Sequence, residues 1–174
     1  MKMEIRLELL YKITKWLLLT LFVALLVFLF WQKFIPAGKI VYSHDLSYQG
    51  KFVFGLYPVG RIVQSSDWQK VVGEPVYFDV YSPRQFKKAT VSLRYFNNTG
   101  LEAKFGLKLN VNDWSFYMIK MNAPQDKFVE QEFEFDLPQA ERKNNKIRFV
   151  IAAPGIDKAN GDLLIDNIVI RMSR

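Results

Sequence analysis

The sequence predicts an all-β protein, an antiparallel two-sheet jelly-roll sandwich, preceded by one N-terminal transmembrane helix. Two patterns carry that expectation. From Trp16 to Trp31 the chain reads WLLLTLFVALLVFLFW, without a charge. From Val76 onward, apolar and polar residues alternate with period two. Composition narrows the function: the 174 residues include no cysteine and one histidine, His44. That excludes a disulfide scaffold, a thiol nucleophile, a thiolate metal site and a multi-histidine zinc site. Half of the residues are hydrophobic and 16% are aromatic, too apolar for a disordered chain.

The apolar run makes a helix of about 24 Å, slightly short of a bilayer's hydrocarbon core of about 30 Å. Ile13 on one side and Phe34 and Ile35 on the other extend it. Trp16 and Trp31 bracket it at the two headgroup levels, and Lys12 and Lys15 anchor its near end. Upstream lie Lys2, Arg6, Lys12 and Lys15; immediately downstream only Lys33 and Lys39 are basic. The heavier positive load expects the N-terminus in the cytoplasm and the remainder translocated, so the protein is placed in the cell membrane as a single-pass chain. The exit, FLFWQKFIPAGKI, is bulky where a signal peptidase needs small residues, so an uncleaved signal-anchor is expected. The resulting division is a basic cytoplasmic flank at 1–15, an anchor helix at 16–35 and an extracytoplasmic domain at 36–174. The flank itself can lie as a short amphipathic helix on the membrane surface.

In the domain, Val76, Phe78 and Val80 alternate with Tyr77, Asp79 and Tyr81, and Val91, Leu93 and Tyr95 with Thr90, Ser92 and Arg94. Phe105, Leu107, Leu109 and Val111 form the next apolar row; Val129, Gln131, Phe133 and Phe135 oppose Glu130, Glu132 and Glu134. Ile147, Phe149 and Ile151 flank Arg148, and the last run puts Leu164, Ile168 and Ile170 on one face with Asp166 among them. Each stretch has a buried and a wetter side, as antiparallel strands require. Turn signals at Tyr57-Pro58-Val59-Gly60, Gly73-Glu74-Pro75, Asn97-Asn98-Thr99-Gly100, Asn144-Asn145 and Asn160-Gly161-Asp162 separate them. Nine or ten strands result, with no amphipathic helix after residue 36.

Val76–Val80, the long middle strands and the closing GDLLIDNIVIRM together resemble the jelly-roll sandwiches of carbohydrate-binding modules and galactose-binding-like domains. Those families often end on a strand matched here by Ile165, Asp166, Asn167, Ile168, Val169 and Ile170. The block from Trp68 to Tyr95 is also similar to membrane-anchored proteins of candidate-phylum bacteria. In the modules the aspartate of the last strand often ligates a structural calcium. The resemblance therefore implies Asp166 as a calcium ligand, with Asp162 or Asp157 as companions. The competing reading is an aspartate bound to turn amides. No other cofactor is expected.

Flat aromatic rings suit the C–H faces of sugars, which makes Trp68, Trp114 and Tyr117 the ligand-binding candidates, with Tyr48, Tyr57 and Phe52 behind them. For any one of them packing in the core is the stronger reading, because aromatic rings carry large apolar area. Catalytic chemistry finds no motif. His44 and Asp45 are adjacent on a strand and point to opposite faces, and no pair among the acids is singled out. No basic run exceeds two residues, so nucleic acid is not an expected partner. The 19 basic against 15 acidic side chains of residues 36–174 suit an anionic lipid or polymer surface. The function expected is a non-catalytic binding module at the cell surface. Its partners would be the lipid bilayer through the helix, and a glycan or a membrane protein through the sandwich. The alternatives are an accessory subunit of an envelope complex, such as a glycosyltransferase or assembly machine, and a cryptic glycan hydrolase.

Overall fold

The computed structural model describes residues 2–34, 38–45, 50–110, 114–122 and 127–174, the side chains of 2–10 and 32–34 excepted. Two compact units divide the chain after Ala37. The first is a single helix, α1 (Lys2–Phe34). It continues through the basic flank without a break, so no separate surface helix forms there. Within it, Tyr11–Trp31 is long and apolar enough to cross a bilayer, about 31 Å at the helical rise, and none of it is buried in protein. Thr20, its polar interruption, donates its hydroxyl to the Trp16 carbonyl 2.9 Å away, so its oxygen adds no unsatisfied donor to the apolar surface.

The second unit is a sandwich of two antiparallel sheets. The strands are β1 (Lys39–Asp45), β2 (Val53–Tyr57), β3 (Ile62–Gln64), β4 (Gln69–Val71), β5 (Val76–Tyr81), β6 (Lys88–Asn97), β7 (Lys104–Lys108), β8 (Phe116–Lys120), β9 (Val129–Asp136), β10 (Arg142–Lys143), β11 (Lys146–Ala152) and β12 (Leu163–Ser173). One sheet runs β3-β4-β12-β6-β9, with β1 also on β12; the other runs β2-β5-β11-β7-β8, with β10 also on β11. From β5 onward the chain repeatedly crosses between the sheets, which is the jelly-roll pattern. Twelve strands form among the described residues, more than the nine or ten expected. The surplus lies in β3, β4 and β10, whose two or three residues are too few to show a period.

The core forms where the alternating rows of the two sheets meet. Phe78, Phe105 and Phe149 of the second sheet stack on one another at 5.3–5.9 Å. Phe105 then meets Phe133 and Phe135 of β9 edge-on at 4.8 and 5.5 Å, joining the sheets. All five rings are buried. Offset and edge-to-face arrangements match the ring quadrupoles and add to the area term. Tyr95 straps one side of the sandwich: its hydroxyl donates toward the Asn122 carbonyl and lies 2.7 Å from Gln131 Oε1.

One row departs from simple alternation. Leu163 and Ile165 are buried, as are Ile168, Ile170 and Met172, so two residues separate Ile165 from Ile168. The register against β6 shifts between Ile165 and Asn167. This bulge reverses the phase of β12, which corrects the expected grouping: Leu164 lies on the opposite face from Ile168 and Ile170, and Asp166 is turned out of the core.

Candidate functional site

The second sheet's outward rows hold a concentration of rings and charges. Successive register pairs align one row across five strands: Tyr57 beside Tyr77, Tyr77 beside Val150, Val150 beside Gly106, and Gly106 beside Met118. The middle of this row is small. A Cβ on Gly106 would lie 2.2 Å from the Met118 sulfur and 2.7 Å from the Tyr117 carbonyl oxygen, so only glycine fits. At the β5 side of this row, rings converge on Tyr77. Trp114, just before β8, and Phe116 reach Tyr77 at 6.1 and 6.4 Å between centroids, and Tyr57 approaches it at 5.8 Å. Tyr77 is covered, with 9% of its surface exposed, while Trp114 stands out at 67%.

The neighbouring row is charged. Arg148 of β11 binds Asp79 of β5 through two hydrogen bonds, Nε to Oδ1 at 2.9 Å and Nη2 to Oδ2 at 3.2 Å. Its guanidinium lies 5.4 Å from the Tyr57 ring and 5.8 Å from the Tyr77 ring. Lys108 stands 5.3 Å over Trp114 and pairs with Glu141; Lys146 sits 3.5 Å over Phe54. Cations held on ring faces are stabilised by the ring quadrupoles and keep the rings oriented. Hydrogen bonding to Asp79 raises the Arg148 pKa further above its ordinary value. Burial first, and the Asp79 carboxylate second, push the Tyr57 hydroxyl upward as well. A groove of about 270 Å³ opens along this row, lined by Asp79, Lys108, Glu141, Lys143, Asn144, Lys146 and Arg148.

The three ring candidates named from the sequence do not share a platform. Trp114 belongs to this face. Tyr117, one residue from Phe116, points to the other side of β8 and meets Phe135 edge-on at 6.2 Å. There it lines a separate cleft of about 430 Å³ at the open edge between the sheets, with Lys88, Glu134 and Asp136 on its walls. Trp68 precedes β4 and so stands with the first sheet. Tyr57 joins the Trp114 cluster, Phe52 instead stacks on Tyr42 at 5.2 Å, and Tyr48 lies outside the described residues.

Asp166 and Asp162 each have a basic partner of their own. Arg94 binds Asp166 at 3.1 Å, and Lys70 pairs with Asp162, whose backbone N–H donates to Asn98 Oδ1 at 2.6 Å. Among the described residues no three acidic or histidine side chains converge. Each carboxylate is thus paired with a cation.

Sequence reasoning missed Tyr77, Asp79, Phe116, Lys108 and Arg148. A signal for two of them was present: Tyr77 and Asp79 occupy the wetter phase of VYFDVY, where an aromatic residue is out of place unless it is covered or used.

No protein-family model matches this chain, and no curated protein does. Solved structures do. The CBM22-1 xylan-binding domain from Paenibacillus barcinonensis Xyn10C is similar with a TM-score of 0.51 at 13% identity, over 79% of this chain and 97% of that one. The CBM22-1-CBM22-2 tandem domain of the same protein gives 0.53 at 14%, over 79% of this chain and 46% of the tandem. The second N-terminal cellulose-binding domain from Cellulomonas fimi β-1,4-glucanase C gives 0.48 at 10%, over 80% and 94%. The likeness to the first two is a likeness of fold: the β unit is a sandwich of the carbohydrate-binding-module type, as the resemblance in sequence implied.

Proposed function

We propose that this chain is a membrane-anchored, non-catalytic glycan-binding module, with its helix as a signal-anchor and its sandwich outside the cytoplasm. The observation that carries the reading is the open Trp114 ring on the second sheet, set beside Phe116 and Tyr77, the latter against the Arg148–Asp79 pair. A sugar ring offers a C–H face to the indole and hydroxyls to both partners of the pair, which still have unused donors and lone pairs. The architecture of the solved sugar-binding domains supports the reading by analogy. The division into flank, anchor and domain at 1–15, 16–35 and 36–174 belongs to the same proposal. A module fixed to a surface also gains from avidity, so weak contacts suffice.

The test is a glycan array probed with the full chain in phosphatidylcholine nanodiscs, alongside its Trp114→Ala variant. Saturable binding that falls by about tenfold or more in the variant is expected. Absence of binding to every glycan, or binding indifferent to Trp114, overturns the reading; a membrane protein copurifying through the helix would favour the accessory-subunit alternative. Because the chain has no cysteine, Lys2→Cys and Lys158→Cys variants report topology cleanly. Lys158→Cys labelled by an impermeant maleimide on intact cells, with Lys2→Cys protected, is the expected pattern.

A further inference from the structure

The hairpin at the charged end of the groove sets two lysines face to face, and neither pairs with a carboxylate among the described residues. Asn144 and Asn145 both adopt left-handed conformations, φ 53° and 58°, making the tight two-residue turn that joins β10 to β11. That turn fixes Lys143 directly opposite Lys146. Like charges facing each other across a strand pair repel, and a protein ordinarily places a carboxylate between them. Here no carboxylate pairs with either lysine among the described residues. The two acids of the groove are already taken, Asp79 by Arg148 and Glu141 by Lys108. The groove therefore keeps two positive charges on its wall that no carboxylate neutralises, Lys146 resting on the Phe54 ring and Lys143 exposed.

We infer that the glycan bound on this face is anionic, its acidic group neutralised between Lys143 and Lys146. This rests on the glycan-binding reading above and specifies its ligand class. A neutral sugar would leave the lysine repulsion in place, whereas an anion between them relieves it and exchanges water for two charge-assisted hydrogen bonds. The ring platform distinguishes a sugar acid from a bare anionic surface: Trp114 and Phe116 offer flat faces, and Lys108, which lines the groove, lies over Trp114.

The experiment uses the full chain in phosphatidylcholine nanodiscs against acidic and neutral oligosaccharides, including an oligogalacturonate and its methyl ester, which keeps the sugar and removes the charge. The expected result is tighter binding of acidic glycans, loss on esterification, and a fall of about tenfold or more between about 50 mM and about 500 mM salt. The Lys143→Ser/Lys146→Ser double variant should lose that preference and keep any neutral-sugar binding. Equal binding of acid and ester, with no effect of the double variant, overturns this inference and leaves the glycan reading standing. Failure to bind any glycan overturns both. Lysine-dependent binding to phosphatidylglycerol vesicles without glycan binding also overturns it, assigning the two charges to a lipid surface.

Discussion

Arg148 and Asp79 lie 69 residues apart in sequence and face each other across β11 and β5, joined by two hydrogen bonds on the sheet's open side. The pair is half of the ring-and-charge face: it settles against Tyr57 and Tyr77 while leaving polar atoms toward the groove.

Breaking this pair from one side should therefore cost both stability and binding. Arg148→Met leaves Asp79 without its partner, and a loss of about 1–3 kcal/mol is expected from denaturant unfolding. Asp79→Asn/Arg148→Met together should recover part of that loss, because neither charge then remains alone. A double variant no better than Arg148→Met would show that the pair is not what stabilises this region.

Gly106 lies in the outward row beneath the Met118 side chain. In Gly106→Ala the new methyl meets the Tyr117 carbonyl at 2.7 Å and the Met118 Cα at 3.3 Å, backbone atoms that can yield only if β8 moves. A destabilisation of about 1–3 kcal/mol follows from overpacking. Trp114 and Phe116 should shift with β8, and the intrinsic fluorescence of Trp114 should change. An unaltered spectrum and melting temperature would mean that the strand absorbs the methyl without moving.

His44 sets a pH dependence. It is buried on β1, and desolvation pushes its pKa below the ordinary histidine value, with Asp45 partly opposing. In the unfolded chain the imidazole titrates near its ordinary pKa of about 6.5, so on acidification it takes up its proton before the folded state does. Stability is thus at its full value above about pH 6.5 and falls as pH drops from there toward the lower folded pKa. Melting temperatures between about pH 7.5 and about pH 5 should decline more steeply in the parent than in His44→Gln. Parallel curves would remove His44 as the cause.

Asp166 tests the structural-calcium expectation. With Arg94 as its partner at 3.1 Å, no stabilising ion is needed to hold the carboxylate. The pair is half exposed, so Asp166→Ala should cost no more than about 1 kcal/mol. Chelator and added calcium should leave the melting temperature in place. A rise of several degrees with calcium, abolished in Asp166→Asn, would restore the metal reading.

The parts legible in the sequence are those encoded within about ten consecutive residues. Charge-free composition determined α1's apolar stretch, and period-two alternation determined which side of β5, β6, β9 and β11 is buried, because strand geometry places neighbours on opposite faces whatever they pair with. Asn144-Asn145 likewise announced its turn. Pairing between distant strands decided the rest. Tyr77 meets Trp114 only because β5, β11, β7 and β8 lie side by side with Val150 and Gly106 between them, and nothing local to either ring signals the other. Tyr117 and Phe116 part company because the pleat turns neighbours to opposite sides of one edge strand, and Trp114 packs with Phe116. Asp166 left the core through a bulge that alternation alone cannot place, since an extra residue is defined by the partner strand and not by its own neighbours.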